Sequence, residues 1–211
     1  MVLRGLCSPL VLLALTMNTA MARDFLPSDH GLRYVGRVGI VPVTVEVTLR
    51  QRPGGVLEYV EWVTPRSWAK WLRSPTVSRV RLRFEDDALE LIDVDTGDGA
   101  QPPPSGPADD ALDTLSIRMR ARADIARGLV HAEYAVWNGG HAHETWTLDV
   151  TGPETVQTPD GSYDTLKFRL GNETQWIEGW SAPLLVFHFV KIDSWRDGKK
   201  TAELSLDDKQ L

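Results

Sequence analysis

The segment "VTVEVTLRQR" sets the tightest limit on the fold. Val43, Val45, Val47 and Leu49 alternate with Thr44, Glu46, Thr48 and Arg50, a period of two that gives a strand one buried and one wet face. In "VSRVRLRF", Arg79, Arg81 and Arg83 share the face opposite Val80, Leu82 and Phe84. "VLEYVEWV" is apolar on both sides, with Val60 and Trp62 on one and Leu57, Tyr59 and Val63 on the other, so it should be covered twice. "ALELIDVD", "LVHAEYAVW", "HETWTLDV", "TVQTP", "SYDTLKFRL", "TQWIEGW", "LVFHFVKI" and "TAELSL" continue the series, with turns at Asn138-Gly139-Gly140, Asp160-Gly161 and Asp197-Gly198. The chain is therefore expected to be mainly β: a curved antiparallel sheet or half-open β-barrel of about ten strands with two short helices.

The first expected helix is "TPRSWAKWLRSP". Thr64 suits the cap, Pro65 the first helical position and Ser74-Pro75 the stop, which sets Trp68, Trp71 and Leu72 on one face. The second, "DALDTLSIRMRARADIARG", carries two signals. Leu115, Ile117, Met119, Ala121 and Ala123 alternate as in a strand, but the Ala, Arg, Leu and Met content favours a helix. Asp110 and Asp113 at its start, Arg127 at its end and Gly128 beyond suit the dipole and a glycine cap. The reading taken is helix.

The N-terminus reads as a secretory signal peptide, residues 1–22. Arg4 precedes the apolar run "LCSPLVLLALTM", and Ala20-Met21-Ala22 supplies small residues for cleavage after Ala22. The apolar run is short for a bilayer span, and none later is long enough. The single cysteine, Cys7, lies in this segment, so the expected mature domain, residues 23–211, has no disulfide, thiolate nucleophile or cysteine-ligated metal. Loss of Arg4 takes the formal charge from −6 to −7, a poor match to nucleic acid or an anionic membrane surface. A Gly/Pro/Asp-rich loop is expected at 97–109. The combined expectation is one exported periplasmic domain with no cofactor and no transmembrane segment in the mature chain.

From Gly152 the sequence runs "GPETVQTPDGSYDTLKFRL". Gly152, Glu154, Thr155, Val156, Thr158, Pro159, Gly161, Tyr163, Thr165 and Lys167 follow the pattern G-x-E-x-V-x-T-P-x-G-x-[FY]-x-T-x-K. Trp176, "WSAP" from Trp180 to Pro183, "FVKI" with Lys191, and Asp197-Gly198 come after it. On these residues the chain resembles a large, uncharacterised family of exported bacterial proteins classed as a domain of unknown function. The likeness runs from about Leu112 to the end and includes the Leu112–Gly128 helix. Where that family often has Tyr-Leu-Pro-Val, this chain has Phe187-His188-Phe189-Val190. The resemblance implies a β-rich fold similar to the half-open barrels of periplasmic lipoprotein carriers. Gly152, Glu154, Thr158, Pro159, Gly161, Thr165 and Lys167 themselves read as a turn-building device.

Few constellations point to chemistry. His141 and His143 could share a metal with a carboxylate such as Asp149, though a solvated hairpin end is the plainer reading. No G-x-S-x-G elbow is present. Glu154 is a candidate general acid if buried, and otherwise a structural residue. The eight tryptophans are either core or the lining of an apolar cleft, with Trp62, Trp68, Trp71, Trp146 and Trp180 as the ligand-binding candidates. The leading expectation is a non-enzymatic protein that binds a lipid or other hydrophobic or amphiphilic envelope molecule, or an envelope protein partner, in a β-lined cavity. The alternatives are an enzyme acting on envelope glycans and a structural or assembly module of the cell envelope.

Overall fold

The computed structural model describes residues 30–71, 73–85, 88–95, 100–101, 111–137 and 143–210. The signal segment, His141, the Asn138-Gly139-Gly140 turn and most of the 97–109 loop lie outside them. In chain order the strands are β1 (His30–Val38), β2 (Val41–Arg52), β3 (Val56–Pro65), β4 (Thr76–Glu85), β5 (Ala88–Asp95) and the two-residue β6 (Ala100–Gln101). The helix α1 (Ser116–Ala126) follows. Then come β7 (His131–Trp137), β8 (His143–Thr158), β9 (Gly161–Gly171), β10 (Gln175–Ala182), β11 (His188–Arg196) and β12 (Lys199–Gln210).

All twelve strands form one sheet in the order β6-β5-β4-β3-β2-β1-β12-β11-β10-β9-β8-β7. Every pairing between neighbours is antiparallel, and the first strand beside the last, β1 on β12, joins the two halves. The sheet is open, with β6 and β7 at its edges. The chain between these two edges carries α1. Laid flat, twelve strands would span roughly 50 Å and α1 only about 16 Å. Yet Ser116, Ile117, Met119, Ala121, Arg122, Ala123, Asp124 and Ile125 are all buried, which covers every side of the helix. A helix buried all round is enclosed, and here a curled sheet encloses it. Bulges at Arg33/Tyr34, Arg81/Leu82, Val150/Gly152, Trp180/Ser181 and Ser194/Trp195 supply the added twist.

The helical reading of 116–126 holds because its ends are made locally. The Asp113 carboxylate accepts the Leu115 and Ser116 amides, each at 2.9 Å. Gly128 takes φ +82°, and the amides of Gly128 and Leu129 return to the carbonyls of Ile125 and Asp124. The other expected helix is only a 3-10 turn, Ser67–Trp71. β3 runs through Thr64 and Pro65, which pair with Thr44 and Val43, so the ladder claims the residues that would have opened the helix.

A second correction concerns Gly152-Pro153. "HETWTLDV" and "TVQTP" are one strand, β8, and Gly152, at φ +134° beside the Val150/Gly152 bulge, bends the strand without ending it. The largest core cluster packs Leu82, Ile117, Ile125, Trp146, Leu148, Phe168 and Leu170 between α1 and the sheet.

Candidate functional site

Alternation in β1, β2 and β3 turns His30, Leu32, Tyr34, Val45, Val47, Tyr59 and Glu61 toward α1, which answers with Arg118, Met119 and Arg122. His188, Phe189 and Ile192 of β11 and Leu204 of β12 complete the lining. They enclose a cavity of about 40 Å³, room for a water molecule or so. The lining mixes apolar side chains with charge: two arginines stand against one carboxylate.

Arg118, Arg122 and Tyr34 are held by hydrogen bonds. Arg118 Nη1 donates to Glu61 Oε2 at 3.2 Å, Arg122 Nε donates to the Val186 carbonyl at 3.0 Å, and the Tyr34 hydroxyl donates to the Phe189 carbonyl at 2.8 Å. The His30 and His188 rings meet edge to face, 4.2 Å between centroids. Burial lowers the Arg122 pKa to about 9 and, with Arg122 and His30 nearby, pushes His188 well below 6.5. Burial raises Tyr34 and Tyr59 above the usual phenol range. Burial also opposes the charge on Arg118, but Glu61 and the nearby Tyr59 and Asp113 outweigh it and hold its pKa above the usual value. The cavity therefore keeps arginine charge in a mostly apolar setting, where an anion or polar headgroup gains most from it.

The five tryptophans singled out from sequence are not brought together. Trp146 lies in the core with Nε1 3.3 Å from Glu144. Trp180 is buried between Lys167 and Lys191, whose Nζ atoms stand 5.0 and 4.5 Å from its ring. Trp62 is half-buried in β3, on the face opposite Tyr59 and Glu61. Trp68 and Trp71 are exposed on the 67–71 turn. None lines the cavity. Its lining was missed because Arg118 and Arg122 sit in a basic run that reads as a wet face, and His30 and His188 lie far apart in sequence.

The 152–167 pattern builds the β8–β9 hairpin. Gly161 takes φ +150° after Pro159, Thr158 Oγ1 donates to the Gly161 carbonyl at 3.1 Å, and buried Thr165 donates to the Glu154 carbonyl at 2.5 Å. The Glu154 side chain is about half exposed, and Lys167 Nζ lies 3.9 Å from both Glu154 and Glu178. This is a surface ion pair, and it gives no support to a buried acid. His143 is exposed in β8, and among the described residues no three His, Cys, Asp or Glu side chains cluster to hold a metal. No described helix is long and apolar enough to cross a membrane.

No family model matches the chain, and no curated protein matches it. Among solved structures it is similar to the crystal structure of MucB, with 9% identity and a TM-score of 0.39. The match covers 91% of this chain, which spans 59% of the length of that one. A likeness at this level carries no argument about what the protein binds.

Proposed function

We propose that the protein is a non-enzymatic binding protein of the bacterial cell envelope that takes an anionic amphiphile between α1 and the curled sheet. One observation carries this reading: Arg118, Arg122 and Glu61 line a cavity between α1 and the sheet whose walls also hold six aliphatic side chains and Phe189. An anionic ligand group would meet the Arg118 and Arg122 guanidinium groups in a setting of low polarity, and its hydrocarbon would meet Leu32, Val45, Val47, Met119, Phe189 and Leu204. A cavity of about 40 Å³ holds no acyl chain, so binding requires α1 and the sheet to move apart. The export expected from the N-terminal sequence would give such a ligand a setting.

The test is native mass spectrometry of the protein recovered after export, followed by titration with oleate monitored through tryptophan emission. Support would be one retained amphiphile, or saturable oleate binding that weakens roughly tenfold in Arg122→Gln. Absence of both a retained molecule and saturable binding would sink the reading.

A further inference from the structure

The net charge of −6 conceals a strong local excess of the opposite sign. The segment "TPRSWAKWLRSPT", Thr64 to Thr76, holds Arg66, Lys70 and Arg73 and no acidic residue. Among the described residues none of these three side chains enters an ion pair or hydrogen bond, unlike Arg79, Arg81 and Arg83 on β4, which face Glu58, Asp93 and Glu90. Arg66, Lys70 and Arg73 are all exposed.

The same end of the sheet carries the most exposed aromatic residue described. Trp71 is 91% exposed and Trp68 51%. In a 3-10 turn, residues three apart eclipse, so both rings stand on one side of the turn. Ile40, at the tip of the β1–β2 turn, is 83% exposed and borders the same cleft as Trp68, Pro42 and Arg37. Rigid packing holds the group out: Ala69 is fully buried, and the Arg66 amide donates to the Pro42 carbonyl at 2.8 Å. The β11–β12 turn adds exposed Lys199 beside it, since the Gly39 amide donates to the Thr201 carbonyl at 2.7 Å.

We infer that this tip is a docking surface for an anionic lipid bilayer, with Trp71, Trp68 and Ile40 entering the headgroup region and Arg66, Lys70 and Arg73 meeting lipid phosphates. Protruding Trp and Ile flanked by unpaired Lys and Arg is the chemistry of interfacial anchoring, and charge complementarity selects the anionic leaflet over a protein groove. The acidic remainder of the molecule then orients this end toward the membrane. The inference does not depend on the cavity, whose lining lies elsewhere in the sheet.

The experiment is vesicle flotation of the protein recovered after export. One set of vesicles combines phosphatidylethanolamine with phosphatidylglycerol, and a second contains phosphatidylcholine alone. The expected result is flotation with the anionic vesicles that weakens as salt rises. Trp71→Ser with Ile40→Ser, and separately Lys70→Glu with Arg73→Glu, should each reduce the bound fraction roughly tenfold. Leu184→Ser, an exposed residue on the β10–β11 connection at the other end of the strands, should leave it unchanged. No flotation, or flotation indifferent to both double variants, overturns the inference. So does a dimer, seen by sedimentation velocity, that either double variant dissolves, because the tip would then be covered by a second copy.

Discussion

Arg118 on α1 and Glu61 on β3 close a 3.2 Å ion pair across the space between the helix and the sheet. The pair is largely shielded from solvent, so removing one member strands the other. Glu61→Leu alone is expected to lower stability by about 2 kcal/mol. Glu61→Leu with Arg118→Met replaces both by apolar groups and should recover most of that loss. Urea denaturation of both single variants, Glu61→Leu and Arg118→Met, the double variant and the wild type measures the coupling. Losses that simply add would mean that the pair does not tie α1 to the sheet.

His188 makes the fold sensitive to mild acid. Its ring packs against His30 from β1, Arg122 of α1 lies near, and its Nε2 has no hydrogen-bond partner among the described residues. The folded state therefore disfavours the imidazolium, while the unfolded chain takes a proton near pH 6.5. Between that value and the lower folded one, the unfolded state binds more protons, so stability is full above about pH 6.5 and falls as pH drops. Thermal melts from pH 8 to pH 5 should show this decline, and His188→Leu should flatten it. An equal decline in the variant would assign the effect to other groups.

The sequence makes the strands legible because their alternation is local, as in Val43 to Leu49. It also predicts α1, where Asp113 and Gly128 declare the ends. The Thr64–Pro75 helix fails because Thr64 and Pro65 pair with β2, a long-range preference that no local cap signal reveals. Gly152-Pro153 misleads for a related reason: a glycine at positive φ serves a bulge as well as a turn. The cavity is the least legible element. Its polar residues come from β1, β3, α1 and β11, and only the curl of the sheet brings them together.

Gly179 on β10 is required by its neighbour Phe168 on β9. A Cβ at this position would collide with the Phe168 ring, which in turn packs on Phe189 at 4.6 Å. Phe168 is fully buried and has no space to retreat. Gly179→Ala is expected to cost about 1–3 kcal/mol through this overpacking. Adding Phe168→Leu should relieve part of the clash, so the double variant should lose less than the two single losses combined. Melting temperatures of the four proteins decide the point, and strict additivity would mean that the ring moves aside freely.

The tip of the β8–β9 hairpin is pinned to the last strand by a residue that sequence reading treats as mere turn chemistry. Asp160 accepts hydrogen bonds from Lys209 Nζ and the Tyr163 hydroxyl, and Lys209 Nζ lies 2.7 Å from that hydroxyl. The Asp160 amide also reaches the Leu206 carbonyl at 3.2 Å. The Lys209 hydrogen bond, then that of Tyr163, lowers the Asp160 pKa below 3.8. The carboxylate therefore contributes stability above that pH and loses it as acid protonates the folded state. Asp160→Asn should cost about 1 kcal/mol near neutrality, with the loss concentrated in the hairpin. Amide hydrogen exchange should accelerate at Val156 and Tyr163 while Leu82 and Leu148 in the main core keep their protection. Lys209→Met should reproduce the pattern, and combined with Asp160→Asn it should add little. Unchanged exchange at the tip in both single variants would show that the backbone contacts alone hold the hairpin down.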